Sequence, residues 1–471
     1  MQIKNAAEAN KVLRENGVRW VQIQFTDIDG RLKAMSSPAE DYLSGRAWKE
    51  GISFDGSSVR GYNSIKASDM ISIPDPTTLV VLPWGEGIQK KASVLAFFQS
   101  PDGEPLDTDP RRVAEGAMER ARKMGFSEAN MFPEPEFFLY EEPAEALADN
   151  EFWHRDVNFG PGAETLMTRT ESAYLSRAKR GYLLPAPADP TEEFRNELCG
   201  ELAKIGFDIR YHHHEAGGKQ AEIEFRFVKS PKLAGDAMVR FKYFARNVAA
   251  RYGLVPTFMP KPVFADAGNG MHVHQYLSKG GPSLFYDEDD PNGLSQTALY
   301  YIGGILEHAR GMALVTNSSV NSYKRLVPEF EAPIFAAWSP MNRSALVRIP
   351  YVGDPKTTRI EVRHGDALSN PYLAHAIMLW CGLDGIKRKL DPGPAVKENI
   401  YKLSDAKRKS MGIKRMPAHL REAYEAFRED DVVQACLGRQ LSDNLLDAKL
   451  TEWRQFCAHV TAWEHYQYFD A

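Results

Sequence analysis

The sequence predicts an α+β protein, with a small N-terminal β-rich module at residues 1–106 and a larger α/β portion at residues 107–471. Two observations carry this. Up to about Leu106 the chain is dense in apolar alternation of period two and in turn dipeptides. Beyond it, helical faces with cap residues are interleaved with short strands whose ionisable residues fall on one face.

Taken in order, residues 3–16 read as a short amphipathic helix ending at Gly17. Val21, Ile23 and Phe25 alternate with Gln22 and Gln24, a strand pattern. Asp29-Gly30 is a hairpin signal, after which Arg31 to Ser36 returns. Residues 51–70, GISFDGSSVRGYNSIKASDM, are rich in Gly and Ser and read as a loop able to approach a ligand closely. Ile71 to Trp84 mixes prolines with apolar runs, and Ala92 to Gln99 reads as a strand.

Asp109 and Pro110 form an N-cap and first-turn pair, with Val113, Ala117, Ala121 and Met124 along one helical face and Gly125 as the stop. Residues 141–180 carry no assignable pattern. Thr191 is expected to cap a helix with Phe194, Leu198, Leu202 and Ile205 inward. Further helices are expected at 240–251, 294–315 and 371–390. Leu446, Leu450, Trp453, Cys457 and Val460 form a last helical stripe that reads as core packing. No internal repeat or low-complexity tract interrupts the chain.

A length of 471 residues suggests about three domains, or fewer if one is barrel-sized. The hydrophobic fraction of 43% supports a large core. The formal net charge of −5 is small for this length and argues against a broad nucleic-acid surface. Cys199, Cys381, Cys436 and Cys457 form no CxxC pair, which argues against a disulfide framework or a structural zinc site. The polar N-terminus is no signal peptide, and no apolar run is long enough to span a membrane. The expectation is a soluble cytoplasmic protein without nucleic-acid or membrane partners.

Chemistry enters with Met131 to Tyr140, MFPEPEFFLY. In a strand, Glu134 and Glu136 point to one side and Phe137 to the other. Two adjacent like charges repel, and a bound cation would relieve them. The device recurs in AEIEFRF (Glu222, Glu224, Arg226), GMHVHQYL (His272, His274) and RIEVRH (Arg359, Glu361, Arg363). A sheet with one wet face would give the same alternation in any single segment. Four such segments, imidazoles included, point to one shared cavity. Arg325, Arg343, Arg348, Lys356, Arg359 and Arg363 add a cluster of cations, as phosphoryl transfer requires.

The ordered motifs FDGSS (54–58), SDM with PDPTT (68–78), EPEFF (134–138), HHHE with QAEIEF, FMPKP (258–262), GNGMHVH, NSYKRLVP (321–328), FEAP (330–333), NRSALVRIP (342–350), RIEVR and NPYL (370–373) resemble those of class I glutamine synthetases, the bacterial and archaeal type. The resemblance covers nearly the whole chain. It implies an N-terminal β-grasp domain (1–106), then an α/β catalytic domain (107–471) with a partial β-barrel. It also implies a homo-dodecamer of two stacked hexameric rings with active sites between subunits. The substrates would be glutamate, ammonium and ATP, with γ-glutamyl phosphate as intermediate.

By that resemblance Glu136, Glu215 and Glu222 hold one metal beside glutamate, and Glu134, His272 and Glu361 a second against the ATP phosphates. Five carboxylates and an imidazole suit Mg²⁺ or Mn²⁺, two or three ions per site. Gly268, Arg325, Glu331, Arg343 and Arg363 would contact glutamate. Arg343 and Arg348 would face the transferred phosphate, and Phe227, His274, Tyr276, Lys356 and Arg359 would line the nucleotide. Asp55 and Ser58 would enter from a neighbouring subunit, Asp55 to bind and deprotonate ammonium beside Tyr182. Glu331 would lie on a flap over the glutamate entrance.

Several positions depart from the family pattern: Ala267 for Asn, Arg210 for Glu, Tyr276 for a small residue, Glu329 for Gly, and His364-Gly365 for an apolar-Pro pair. They bear on nucleotide affinity, flap mobility and choice of amine. Two alternatives therefore stand beside glutamine formation: a γ-glutamyl-amine ligase using methylamine or a polyamine, and a catalytically silent regulatory relative. Tyr401, in ENIYKL, resembles a tyrosine that some class I enzymes carry adenylylated, although its context favours an ordinary loop tyrosine.

Overall fold

A computed structural model describes residues 3–62, 68–141, 179–328 and 332–471. The N-terminal part opens with helix α1 (Ala6–Glu15), started where the Asn5 side chain accepts the Glu8 N–H at 3.0 Å. Strands β1 (Trp20–Thr26) and β2 (Leu32–Pro38) form the expected antiparallel hairpin. With β3 (Ile52–Asp55), β4 (Asp69–Pro74), β5 (Val80–Val81) and β6 (Lys91–Gln99) they make one sheet in the order β2-β1-β6-β4-β3, β5 lying beside β6. The first and last long strands, β1 and β6, pair in parallel at its centre. Val21, Ile23 and Val94 bury their side chains there with Leu13 of α1 and Tyr42.

The stretch expected as a loop, residues 51–70, in fact contains β3. Ile52 and Phe54 alternate with Ser53 and Asp55, a period-two signal hidden by the surrounding glycines and serines. Asp55 ends this strand opposite Asp69 of β4.

The larger part begins with α2 (Pro110–Lys123), where Asp109 accepts from the Arg111 N–H at 2.9 Å and from the Phe98 N–H of β6 at 3.1 Å. There follow β7 (Glu128–Tyr140), α3 (Glu192–Lys204), β8 (Ile209–His214), β9 (Gln220–Phe225), α4 (Pro231–Arg251), β10 (Val255–Thr257), β11 (Met271–Ser278) and α5 (Gln296–Thr316). Then come β12 (Phe335–Ala336), β13 (Trp338–Pro340), β14 (Val347–Ile349), β15 (Ile360–Val362), α6 (Pro371–Arg388) and β16 (Lys414–Arg415), which pairs with β12. The second sheet runs β13-β14-β15-β11-β7-β9-β8, with β10 on β7. Its apolar side packs on helices: Phe137 of β7 meets Phe194 of α3, Phe241 of α4 and Phe258. Helix α6 packs against α2, α4 and α5.

Three helix expectations need correction. Thr191 precedes α3 but does not cap it; its hydroxyl donates to Asp189 at 2.8 Å instead. Helix α4 starts at Pro231, capped by Ser230, well before the expected Arg240. In the helix Arg439–Ala458 the buried face is Leu441, Leu445 and Ala448, while Cys457 and Val460 are exposed. The stripe read from sequence is rotated by one residue, about 100° on a helix, and so runs out of core. Lys449 on this helix reaches the β1–β2 turn, pairing with Asp29 at 2.7 Å. No helix among the described residues is long and apolar enough to cross a membrane.

Candidate active site

Strand register assembles the site. β7 lies between β11 and β9, which sets Glu134 opposite His272 and Glu136 opposite Glu222. On the far side of β11, His274 stands opposite Glu361, and Glu361 opposite Arg348 of β14. Because side chains alternate along each strand, all of these point to one face. They line a cavity of ≈ 270 Å³ together with Glu215, Gly268, Tyr182, Arg325, Arg343, Arg359 and Arg363.

The acidic floor is strained as it stands. Glu222 is buried, and burial together with Glu134, Glu136 and Glu215 pushes its carboxyl well above the usual range. Burial also works against the charged form of Glu134, but His274 and His272 outweigh it and hold that carboxyl well below its ordinary value. His274 Nε2 lies 2.8 Å from Glu134 Oε1, and Arg359 donates to His274 Nδ1 at 3.1 Å, so the proton sits on Nε2. Burial disfavours the Glu361 carboxylate, but Arg363 at 3.0 Å reverses the balance and lowers it; Arg348 lies 2.9 Å away on the other oxygen.

Two sets of ligand atoms, each within 4.8 Å of one another, suit a hard cation: Glu136, Glu215 and Glu222, and Glu134, His274 and Glu361. The first is the expected trio. In the second, the imidazole nearest Glu134 is His274, whose two ring nitrogens are already taken by Glu134 and Arg359. His272 nonetheless faces the same carboxylates, its Nδ1 3.6 Å from Glu134 and 3.7 Å from Glu361. A third set joins His213 and Glu224 to Glu222. The donors are oxygen-rich and mutually repelling, so they fit divalent ions.

The ligands are held from behind. Glu136 Oε2 accepts from the Gly270 N–H at 2.7 Å and from Gln220 Nε2 at 3.0 Å. Gly270 allows this approach, since a Cβ there would lie 2.6 Å from Arg325 Nη2. Arg325, buried, donates to the backbone carbonyls of His364 at 2.9 Å and Gly365 at 3.1 Å. Arg363 also donates to the carbonyl of Arg343. Tyr182 stands edge-on to His213, and its neighbour Gly181 fits only without a Cβ, which would lie 2.4 Å from the His214 ring.

Other expected residues lie apart. Phe227 and Tyr276 form a ring pair at 5.0 Å outside the cavity lining, with Arg359, which does line it, over Phe227. Lys356 is exposed on the turn Pro355–Thr357. Asp55 ends β3 on the N-terminal sheet and Ser58 lies in the turn Gly56–Ser58 that follows, and neither lines this cavity; the hydroxyls of Ser57 and Ser58 lower the exposed Asp55 carboxyl. Glu331, with Glu329 and Phe330 of the flap, lies outside the described residues. The Tyr401 hydroxyl donates to the carbonyl of Ala332, just after that flap, at 2.8 Å. Sequence reading missed Gln220, although it shares the face of Glu222 and Glu224 at period two. It also missed His213, which the HHHE run contained.

Comparison with known proteins gives this geometry its context. Residues 17–100 match the family described as glutamine synthetase, beta-Grasp domain, and residues 107–468 match glutamine synthetase, catalytic domain. A glutamine synthetase of Archaeoglobus fulgidus is 42% identical over 99% of this chain and 98% of its own length. One of Thermus thermophilus is 40% identical, covering 97% of each. Among solved structures, a GmaS–ADP complex superposes with a TM-score of 0.83 at 28% identity over 98% of this chain and 99% of that one. Plasmodium falciparum glutamine synthetase shares the fold, with a TM-score of 0.85 at 21% identity over 99% of both chains. With β-grasp and catalytic parts both matched and full-length relatives at this identity, the chain belongs to the glutamine synthetase family.

Proposed function

We propose that the chain ligates ammonia to the γ-carboxylate of L-glutamate at the expense of ATP, through γ-glutamyl phosphate. The observation that supports this most is one cavity in which paired carboxylates face Arg325, Arg343, Arg348, Arg359 and Arg363. Mg²⁺ or Mn²⁺, bound by the carboxylate sets, would neutralise the floor and polarise phosphate oxygens. Arg325 and Arg363 are fixed by backbone carbonyls and by Glu361, so they offer a preset seat for the glutamate carboxylates. Arg343 and Arg348 supply fixed positive charge where the phosphoryl group moves, and Arg359 with His274 frames the nucleotide side. The γ-carboxylate oxygen attacks the terminal phosphorus and ADP leaves. Ammonia then attacks the activated carbonyl and phosphate leaves.

The amine must lose a proton before it attacks. In this reading the proton passes to Asp55 of the partner subunit, with Tyr182, Glu215 and the flap residue Glu331 lining the pocket. The chain is read as two domains, 1–106 and 107–471, assembled in the cytoplasm as a dodecamer of two stacked rings. Mixing an inactive Asp55→Ala chain with an inactive Arg343→Ala chain is then expected to restore part of the activity. No recovery in verified mixed oligomers would rule out a shared site.

Phosphate release with ATP, glutamate and a panel of amines tests the function itself. Ammonium is expected to give the highest kcat/KM after correction for free base. A methylamine or polyamine ahead by about tenfold, or ~1.4 kcal/mol, would make the protein a γ-glutamyl-amine ligase. No release with any amine would make it a silent relative.

A further inference from the structure

Asp266 lies outside the cavity, between β10 and β11, and its side chain is wholly buried. Its two oxygens take three backbone N–H groups from three stretches of chain. Oδ1 accepts from Lys179 at 2.9 Å and Ala267 at 2.8 Å, and Oδ2 accepts from Gly218 at 2.8 Å. Each stretch carries a residue of the glutamate-and-amine side: Tyr182, Gly268 and Glu215 respectively. The stretches are also laced to one another. Gly181 N–H donates to Ala216 O at 3.0 Å and Leu183 N–H to His214 O at 2.9 Å. Gln220 accepts the Gly217 N–H at 2.9 Å and donates to Gly268 O at 3.1 Å.

A buried carboxylate is costly unless its bonds compensate. Here it is needed because both oxygens must accept, and an amide of the same size offers only one acceptor. We propose that Asp266 is a positioning residue, a buried clamp that sets Tyr182, Glu215 and Gly268 relative to one another. The inference rests on the ligation reading above. The nucleotide side takes its geometry from the register of β11, β14 and β15, which Asp266 does not touch.

Asp266→Asn keeps the size and removes one acceptor. KM for glutamate and for ammonium is expected to rise about tenfold or more, with KM for ATP within about twofold of wild type. A fall in kcat with all three KM values unchanged, or an equal rise for ATP, would overturn the clamp, since either describes a merely structural residue. Hydrogen exchange on the wild-type protein gives a second readout that needs no variant to fold. The amides of Lys179, Gly218 and Ala267 are expected to share one opening free energy; three unrelated values would overturn the proposal. An inactive wild type would sink the ligation reading, whereas an active wild type beside an unaltered variant sinks only the clamp.

Discussion

The two sheets of this chain bury polar groups in opposite ways. Along β1 to β6 the covered polar residues are Gln24, Thr26, Ser72 and Ser93, all neutral. Along β7 to β15 they include Glu134, Glu136, Glu222, Glu224 and Glu361. Neutral groups in the first sheet carry a small penalty: Ser72 Oγ donates to Ile52 O at 2.9 Å and Ser93 Oγ accepts from Arg240 at 2.7 Å, while among these four residues only Gln24 Oε1 is left without a hydrogen-bond partner. In the second sheet Glu136 faces Glu222 directly across a strand pair, an arrangement that packing alone does not reward. One sheet is therefore built for stability, and the other gives up stability to hold something positive.

The strongest way to break this contrast is Glu136→Ala. Turnover is expected to fall by about a thousand-fold or more, because a cation beside the reacting carboxylate loses a ligand. Near-normal turnover would remove Glu136 from the metal set. The melting temperature without metal should change little, since relief of one repelling carboxylate offsets the bonds lost from the Gly270 N–H and Gln220.

A finer test uses pH. Glu222 is raised above its ordinary value of 4.5, so the folded chain holds a proton there that the unfolded chain releases. The stability contributed by this proton is present below about 4.5 and is lost as pH rises through the higher folded value. In chelator, the melting temperature of wild type should therefore decline with pH more steeply than that of Glu222→Gln. Added Mn²⁺ or Mg²⁺ should stabilise wild type by about 2.7 kcal/mol at a hundred times Kd, and the variant by less. Parallel pH profiles for the two proteins would sink the idea that repulsion at Glu222 is what the metal relieves.

The smallest effect belongs to the first sheet. Ser72→Ala is expected to cost about 1 kcal/mol in denaturant unfolding and to leave turnover within about twofold. A larger loss of turnover would mean that the β3–β4 pair transmits strain to Asp55, blurring the division between the sheets.

Much of the site was legible because it obeys period two. Glu134, Glu136, Glu222, His272, His274, Glu361 and the flanking arginines were placed on one face from alternation, and register does bring them together. What alternation cannot supply is the cross-strand neighbour. That His274 sits 2.8 Å from Glu134, or that Gln220 grips Glu136, follows from how far one strand slides along another. The family resemblance, not the pattern, led to Gly268, which lies on irregular backbone, and gave Arg325, at the end of the short helix Ser322–Arg325, its glutamate role. Strand β3 is hard to see in sequence because glycines and serines surround its four alternating residues. The last helical stripe failed because a helix at the end of a chain need not turn its most apolar face inward.

The order of strands in the second sheet has a further consequence during synthesis. Glu134 emerges from the ribosome more than two hundred residues before Glu361, and β11, which joins their strands, lies between. At about 5–20 residues per second, on the order of 10–40 s pass between β7 and the arginine-bearing strands β14 and β15. Through that interval its acidic face has no arginine wall opposite, and its repelling carboxylates discourage it from pairing with strands of other nascent chains. The charges that form the candidate metal sets thus also disfavour strand pairing that leads to aggregation while the chain is incomplete.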